Sequence, residues 1–206
     1  MPHEIEAKFK VSDFRAIRRR LVGLGAVYLG TDLQTDVYYD TPDRGLLGED
    51  KGLRIRRTRR LRSPSAADRD AIHSDTRALL TYKGPSGAND RAKIRREIQT
   101  RVDSPQALDE ILTALGLTPT LTIQKKRIGY RLGSCTVELD ELPIIGRFVE
   151  IEAPTTQRIE AVGRELRIKA EPSTDHYITL LSRACGHVSD TCLEITFDNC
   201  TDCKSA

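Results

Sequence analysis

Glu4-Ile5-Glu6-Ala7-Lys8-Phe9 alternates charged and apolar side chains, and its charges are of both signs. Successive side chains of a strand point to opposite faces. Glu4, Glu6 and Lys8 therefore share one face, and Ile5, Ala7 and Phe9 the other. One such strand is ordinary, because a half-buried strand shows a polar face to water. This chain repeats the pattern. Arg54 and Arg56 stand either side of Ile55, and Arg95, Glu97 and Gln99 alternate with Arg96 and Ile98. Lys125 and Arg127 are two apart, Glu138 and Asp140 flank Leu139, and Glu150 and Glu152 flank Ile151. A sheet of such strands has one face of carboxylates, guanidinium groups and ammonium groups. That face makes a poor hydrophobic core and a suitable wall for a wet cavity holding metal ions and a polyanion.

Four helices are expected between the strands. The first starts near Ser12 as N-cap, carries Phe14, Ile17, Leu21 and Leu24 on one stripe, and stops at Gly25. The second opens with Ser104 as N-cap and Pro105 at the first position, uses Leu108, Ile111, Leu112 and Leu115, and ends at Gly116. The third covers roughly 156–168 with Ile159, Val162 and Leu166. The fourth starts near Ser173, uses Tyr177, Leu180, Leu181 and Ala184, and stops near Gly186. The first two sit in matching contexts, after Glu4-Ile5-Glu6-Ala7-Lys8 and after Glu97-Ile98-Gln99-Thr100-Arg101. Each ends in Leu-Gly before a polar strand, Gln34 to Asp40 or Gln124 to Arg131. This reads as a degenerate duplication of a strand–helix–strand unit. Two facing halves close into a barrel or tunnel with charged faces inward and helices outside.

The 206 residues suit one domain with a real core, expected over 1–186, and 31% of them are charged. The net charge of +3 does not by itself argue for a nucleic-acid partner. No apolar run approaches the roughly 18 residues that span a bilayer, and the first strand leaves no room for a leader, so a soluble cytoplasmic protein is expected. Residues 59–78 lack periodicity and read as a long mobile loop. Residues 187–206 read as a cysteine-bearing tail. Cys200 and Cys203 form a lone Cys-x-x-Cys, with Cys185 and Cys192 upstream. The spacing fits reduced thiols on a helix end and a loose tail better than a zinc site.

The carboxylate pairs Glu4/Glu6, Glu138/Asp140 and Glu150/Glu152 repel on one wall unless cations sit between them. Hard oxygen ligands of this kind suit Mg²⁺ or Mn²⁺. Each pair alone is better read as the solvent face of a strand. Three pairs opposite equally regular cations reverse that preference. Lys8, Arg54, Arg56, Lys83, Arg95, Lys125 and Arg127 fall on the same inward faces. Arg offers a planar fork to phosphate oxygens and Lys a compact charge, so the set matches a triphosphate. Arg96 and Lys126 point outward by parity and read as surface ion-pair partners.

In this form the chain resembles the CYTH superfamily, the triphosphate tunnel metalloenzymes. Glu4-x-Glu6-x-Lys8 at the N-terminus looks like its signature. The resemblance continues in order through Asp36-Val37-Tyr38-Tyr39-Asp40, Leu53-Arg54-Ile55-Arg56, Tyr82-Lys83-Gly84-Pro85 and Arg95-Arg96-Glu97. It then runs through Lys125-Lys126-Arg127, Val137-Glu138-Leu139-Asp140 and Phe148-Val149-Glu150-Ile151-Glu152. It spans roughly 3–182. Gln99 stands where the family often has a second glutamate. The resemblance implies an α+β fold, an eight-stranded antiparallel β tunnel with a charged interior and helices packed outside. It implies phosphate binding by the seven inward cations, and metal held by Glu4, Glu6, Glu150 and Glu152 with Glu138 and Asp140 adjacent.

Class IV adenylyl cyclases, thiamine triphosphatases and inorganic triphosphatases belong to this superfamily. The expected substrate is therefore ATP, inorganic triphosphate or thiamine triphosphate, with Glu6, Lys8 and Arg56 as the catalytic set. The layout looks closer to the cyclase branch. Lys8 reads either as a base, its pKa lowered by neighbouring cations, or as a plain phosphate contact. A non-catalytic polyphosphate- or RNA-binding module is the contrasting class, and the inward carboxylates argue against it. Oligomeric state is not readable.

Overall fold

The computed structural model describes residues 3–62, 76–87, 92–173, 175–185 and 193–198. Strands β1 (His3–Val11), β2 (Val27–Asp40), β3 (Gly52–Arg62) and β4 (Thr76–Gly87) form the first half of the chain. Strands β5 (Lys93–Val102), β6 (Thr118–Leu132), β7 (Cys135–Leu142) and β8 (Gly146–Glu152) form the second. Helix α1 (Arg15–Gly23) joins β1 to β2, the single turn α2 (Gly45–Gly48) lies between β2 and β3, and α3 (Pro105–Ala114) joins β5 to β6. Helices α4 (Thr156–Glu165) and α5 (Tyr177–Cys185) follow β8.

The strands pair in the order β2-β3-β4-β5-β1-β8-β7-β6, each pair antiparallel. Strand β6 then pairs back onto β2, from Val27↔Arg131 to Asp40↔Thr118. The sheet is thus the closed eight-stranded tunnel that the sequence implies, and closure removes the exposed edges. Exchanging β1 with β5, β2 with β6, β3 with β7 and β4 with β8 reverses this order and leaves it otherwise unchanged. The units β1-α1-β2 and β5-α3-β6 therefore occupy equivalent places in the ring.

Parity decides what faces outward. Ala7 and Phe9 of β1 pack with Ile17 and Leu21 of α1 and Ile159 and Val162 of α4. Tyr39 and Ile55 pack with Leu112 of α3. A third cluster is different, because Leu121, Ile123, Leu142 and Phe148 have the same parity as the inward charges of their strands. They meet Leu181 of α5. The inner face is charged along most of its height and turns apolar at the end where α5 docks.

Local signals explain most boundaries. Ser104 caps α3, its hydroxyl accepting the Ala107 N–H at 3.3 Å, and Thr155 caps α4 through the Arg158 N–H at 3.2 Å. Gly25 ends α1 at φ +73°, a conformation that glycine tolerates, while Gly25 and Ala26 donate to the carbonyls of Val22 and Leu21.

Four expectations need correction. Helix α1 begins at Arg15 rather than after a Ser12 cap, and Asp13 Oδ1 takes the Arg15 N–H at 2.9 Å. Helix α5 begins at Tyr177 rather than near Ser173, because the Ser173 backbone pairs with Lys8 at 2.7 and 3.3 Å. The 59–78 loop is shorter than expected, since β3 runs to Arg62 and β4 begins at Thr76; residues 63–75 lie outside the described residues. Within the expected tail, β9 (Leu193–Ile195) pairs in parallel with Leu121–Ile123 of β6 and buries Ile195. Cys135 is buried and unbridged. The side chain of Cys185, and Cys192, Cys200 and Cys203, lie outside the described residues. No helix among the described residues is long and apolar enough to cross a membrane.

Candidate functional site

The charged part of the barrel interior encloses a cavity of about 670 Å³. Lys8, Arg54, Arg56, Lys83, Arg95, Lys125 and Arg127 all reach it, as do Glu6, Glu138, Glu150 and Glu152. Strand parity thus brings together eleven of the thirteen residues expected there. The side chain of Glu4 lies outside the described residues, although its backbone pairs with Arg95. Asp140 is fully buried behind the cavity wall. Arg96 and Lys126 are exposed on the outside as expected, but Lys126 sits over the Phe197 ring at 4.4 Å. Gln99 lines the cavity and donates its amide to Glu97.

Two aspartates hold the cations in place. Asp36 on β2 faces Arg56 on β3, and Arg127 on β6 faces Asp140 on β7. Arg56 grips Asp36 with Nε and Nη2, both at 2.6 Å, and Arg54 Nη1 adds a third donor at 3.1 Å. Arg127 grips Asp140 in the same forked way, with Nε at 2.7 Å. Lys125 Nζ at 2.9 Å and the Tyr177 hydroxyl at 3.0 Å complete four donors on the Asp140 carboxylate. The two forks occupy equivalent places in the two halves with carboxylate and guanidinium exchanged between strands. Such bidentate, charge-assisted contacts fix direction as well as distance. With four donors on its oxygens, Asp140 acts as an anchor of Lys125, Arg127 and Tyr177, a role that the sequence reading, which placed it beside the metal, did not foresee.

The electrostatics sort the remaining groups. Burial alone pulls the Lys8 ammonium down, but Glu150 and Glu6 outweigh it and hold Lys8 above the usual lysine range. Its nearest charges are Glu6 at 3.2 Å and Glu150 at 3.7 Å, so the expected lowering by cations does not occur. Lys125 goes the other way: burial, then Arg127 and Arg56, pull it down to about 8 despite Asp140. Burial pushes the Tyr177 hydroxyl well up, and the Asp140 and Glu150 carboxylates add to this, so it stays a donor.

The carboxylates gather on the β1-β8-β7 wall. Glu138 faces Glu150, and Glu6 faces Glu152, across neighbouring strands. Burial first, then Glu150 and Asp140, raise the Glu138 carboxyl despite Arg127 beside it. Burial acts the same way on Glu150, but Lys8, Arg127 and Lys125 hold it well below the usual range. Glu150 Oε2 is buried without a hydrogen bond. Facing carboxylates, one with a buried oxygen that takes no hydrogen bond and meets Arg127 and Lys8 at 3.5 and 3.7 Å, fit a hard divalent cation. Among the described residues no three His, Cys, Asp or Glu side chains already converge as a metal group.

The sequence reading missed Asp36, Tyr177 and His176 as site residues. Asp36 carried a signal, since it shares a strand face with Gln34 and Tyr38. Tyr177 and His176 carried none, because nothing in their own segment shows that α5 docks against the tunnel.

The sequence profile of the CYTH domain matches residues 2–177. The chain belongs to the CYTH family. Adenylate cyclase CyaB of Aeromonas hydrophila is 32% identical to this CYTH protein over 153 residues, 74% of this chain and 69% of that one. MJ0240 of Methanocaldococcus jannaschii is 27% identical over 149 residues, 72% of this chain and 75% of that one. The solved structure of PH1819 from Pyrococcus horikoshii OT3 superposes with a TM-score of 0.73 at 26% identity, covering 87% of this chain and 98% of that one.

Proposed function

We propose that the tunnel binds a triphosphate together with Mg²⁺ or Mn²⁺ and catalyses transfer at phosphorus, with conversion of ATP to cyclic AMP and pyrophosphate as the best-supported reaction. One observation carries the binding. Arg54 and Arg95 line the cavity, and the Nε of each is buried without a hydrogen-bond partner. Buried donors without acceptors are costly, and phosphate oxygens would satisfy them. The cyclase assignment is supported by the 32% identity to CyaB.

In this reaction the ribose 3′-oxygen bonds to the α-phosphorus, the bond from that phosphorus to the α–β bridging oxygen breaks, and pyrophosphate leaves. The hydroxyl proton passes to water. Arg54, Arg56, Arg95, Lys83, Lys125 and Arg127 hold the phosphates and stabilise charge as it shifts to the leaving group. Lys8, protonated between two glutamates, is a phosphate contact in this scheme and not the base. Glu138 and Glu150, with Glu6 and Glu152 adjacent, would hold a metal ion, which would supply positive charge against the phosphates. Hydrolysis of inorganic or thiamine triphosphate is the second reading. Inorganic triphosphate, which has no organic group to seat, is favoured by a cavity wall in which charged side chains far outnumber apolar ones such as Leu47, Leu79 and Ile178.

The test runs ATP, inorganic triphosphate and thiamine triphosphate in parallel with Mg²⁺ or Mn²⁺ and with EDTA. Cyclic AMP and pyrophosphate in equal amounts are expected from ATP, with loss of both in EDTA and in Glu6→Gln. Phosphate release without cyclic AMP selects the hydrolase. Equal binding in EDTA with no turnover of any substrate ends the enzyme reading.

Lys125 gives a second, independent check. Burial and the neighbouring Arg127 pull the Lys125 ammonium down to about 8, against the ordinary 10.5. A bound polyanion favours the charged ammonium, so between these values the complex holds more protons than the free protein. Calorimetric titration with inorganic triphosphate at about pH 9, without metal and in buffers of different ionisation heat, should show uptake of up to about one proton. Lys125→Arg should abolish the uptake. Buffer-independent heats in the wild type would contradict the assignment.

A further inference from the structure

One mouth of the cavity has an apolar lip. Leu47 comes from the α2 turn, Tyr38 from the end of β2 that leads into that turn, and Ile178 from the first turn of α5; all three line the cavity. Tyr38 and Ile178 also rest on the apolar cluster of Leu121, Ile123, Leu142 and Phe148. The α2 turn and α5 meet at this mouth, since Asp50 Oδ1, just after α2, lies 3.4 Å from His176 Nε2, just before α5. Leu47 is 53% exposed, yet the turn that carries it is fixed. The buried Asp40 carboxylate accepts the N–H groups of Thr41 and Leu46 at 2.8 Å and of Leu47 at 3.0 Å, and Thr41 Oγ1 accepts the Gly45 N–H at 2.9 Å. Beyond the turn, Asp50 Oδ2 accepts the Ser86 N–H at 2.7 Å. A leucine held in this way presents apolar surface at a fixed place, and covering that surface with a ligand is favourable.

Strand register sets what lies behind the lip. Gly52 stands opposite Lys83, Arg54 opposite Thr81, and Arg56 opposite Leu79. At about 3.3 Å per residue along β3, Arg54 lies roughly 7 Å and Arg56 roughly 13 Å inward from Gly52. The cavity therefore passes from an apolar mouth to a cationic interior within a few residues of one strand. Inorganic triphosphate has no part that such a mouth would favour. A triphosphate that carries a flat heterocycle has one: its phosphates reach inward to Arg54 and Arg56 while the ring stays against the lip.

We propose that Leu47, with Tyr38 and Ile178, seats the heterocycle of the ligand at the mouth between α2 and α5, and so favours a triphosphate that carries an organic group over one that does not. The inference rests on the triphosphate reading of the tunnel and adds the direction in which the ligand lies. Asp40 serves it by fixing the turn that displays Leu47.

The test measures calorimetric affinity without metal for ATP, thiamine triphosphate and inorganic triphosphate, alongside melting temperature, in the wild type and three variants. Leu47→Ser should raise Kd about 3–10-fold for a ligand whose ring lies on the lip, and should leave inorganic triphosphate within about 2-fold of wild type. Leu47→Phe keeps an apolar surface and should hold the same ligand within about 3-fold of wild type. Leu115→Ser removes a more exposed leucine at the end of α3, outside the cavity, and should change no affinity. A loss confined to ATP assigns the lip to a purine, a loss confined to thiamine triphosphate assigns it to thiamine, and a loss for both assigns it to flat heterocycles in general. Unchanged affinity for both organic ligands in Leu47→Ser, an equal loss for inorganic triphosphate, or an equal loss in Leu47→Phe or Leu115→Ser overturns the lip while leaving the triphosphate reading intact. So does a wild type that binds inorganic triphosphate and neither organic ligand. A wild type that binds none of the three overturns the triphosphate reading, and this inference with it.

Discussion

Asp140→Ala is expected to lower folding stability by about 3–5 kcal/mol, a large part of the roughly 5–15 kcal/mol typical of a domain. The carboxylate is fully buried and takes hydrogen bonds from Arg127, Lys125 and Tyr177. Its removal strips Lys125 and Arg127 of the buried carboxylate they share and leaves Arg127 only its contacts with Glu138 and Glu150. Chemical denaturation should show a lower midpoint with an unchanged slope. The triple variant Asp140→Leu, Lys125→Met, Arg127→Met replaces the ion cluster by apolar groups of similar volume. It should recover part of the stability, since Glu138 and Glu150 lose Arg127 in turn, while losing triphosphate binding. Acid unfolding provides a corollary. Burial raises the Asp140 carboxyl, but Arg127 and Lys125 outweigh it and hold it below its ordinary value. Its stabilisation is therefore present above the unfolded value near 3.9 and is lost as pH falls through the lower folded value. Wild type should lose stability more steeply than Asp140→Ala in that window. An unchanged denaturation midpoint in Asp140→Ala would sink the anchoring role.

Glu138→Gln should do the opposite: turnover with Mg²⁺ or Mn²⁺ falls by about 10²–10³, while the fold is as stable as wild type or slightly more so. Glu138 sits among like charges, and its carboxyl is raised by burial and by Glu150 and Asp140. The glutamine amide keeps an acceptor for Arg127 and removes the repulsion. Metal-free binding of inorganic triphosphate should tighten, because one negative charge has left the wall. The opposed signs of these measurements distinguish a metal-holding carboxylate from a structural one. Weaker metal-free binding together with a lower denaturation midpoint would show that Glu138 supports the wall and does not serve the metal.

Much of this site is legible without coordinates, and the reason is the two-residue period of a strand. Once Ile55, Leu139 and Ile151 are read as outward, Arg54, Arg56, Glu138, Asp140, Glu150 and Glu152 must be inward, whatever the barrel's dimensions. The same period does not say how far along the tunnel a charge stays charged. The inward positions of β6, β7 and β8 turn apolar at Leu121, Ile123, Leu142 and Phe148, where α5 fills the end. Only the docking of a distant helix makes those positions a core. Likewise β9 is three residues long, and the sequence around it reads as a tail, because its partner is an edge that β6 offers beyond the end of β7.

The sequence by itself determined the fold class, the inner and outer face of the strands that alternate charged and apolar residues, and the company of cations and carboxylates on the inside. These follow from local alternation, which each strand carries within itself. The tertiary structure alone decided the division of labour among like residues. Asp36 and Asp140 became anchors and Glu138 and Glu150 remained facing each other, because cross-strand register sets which partner stands opposite. It also decided that Lys8 stays protonated and that His176 and Tyr177 join the site. Those outcomes depend on distances between segments far apart in the chain, and no local pattern encodes them.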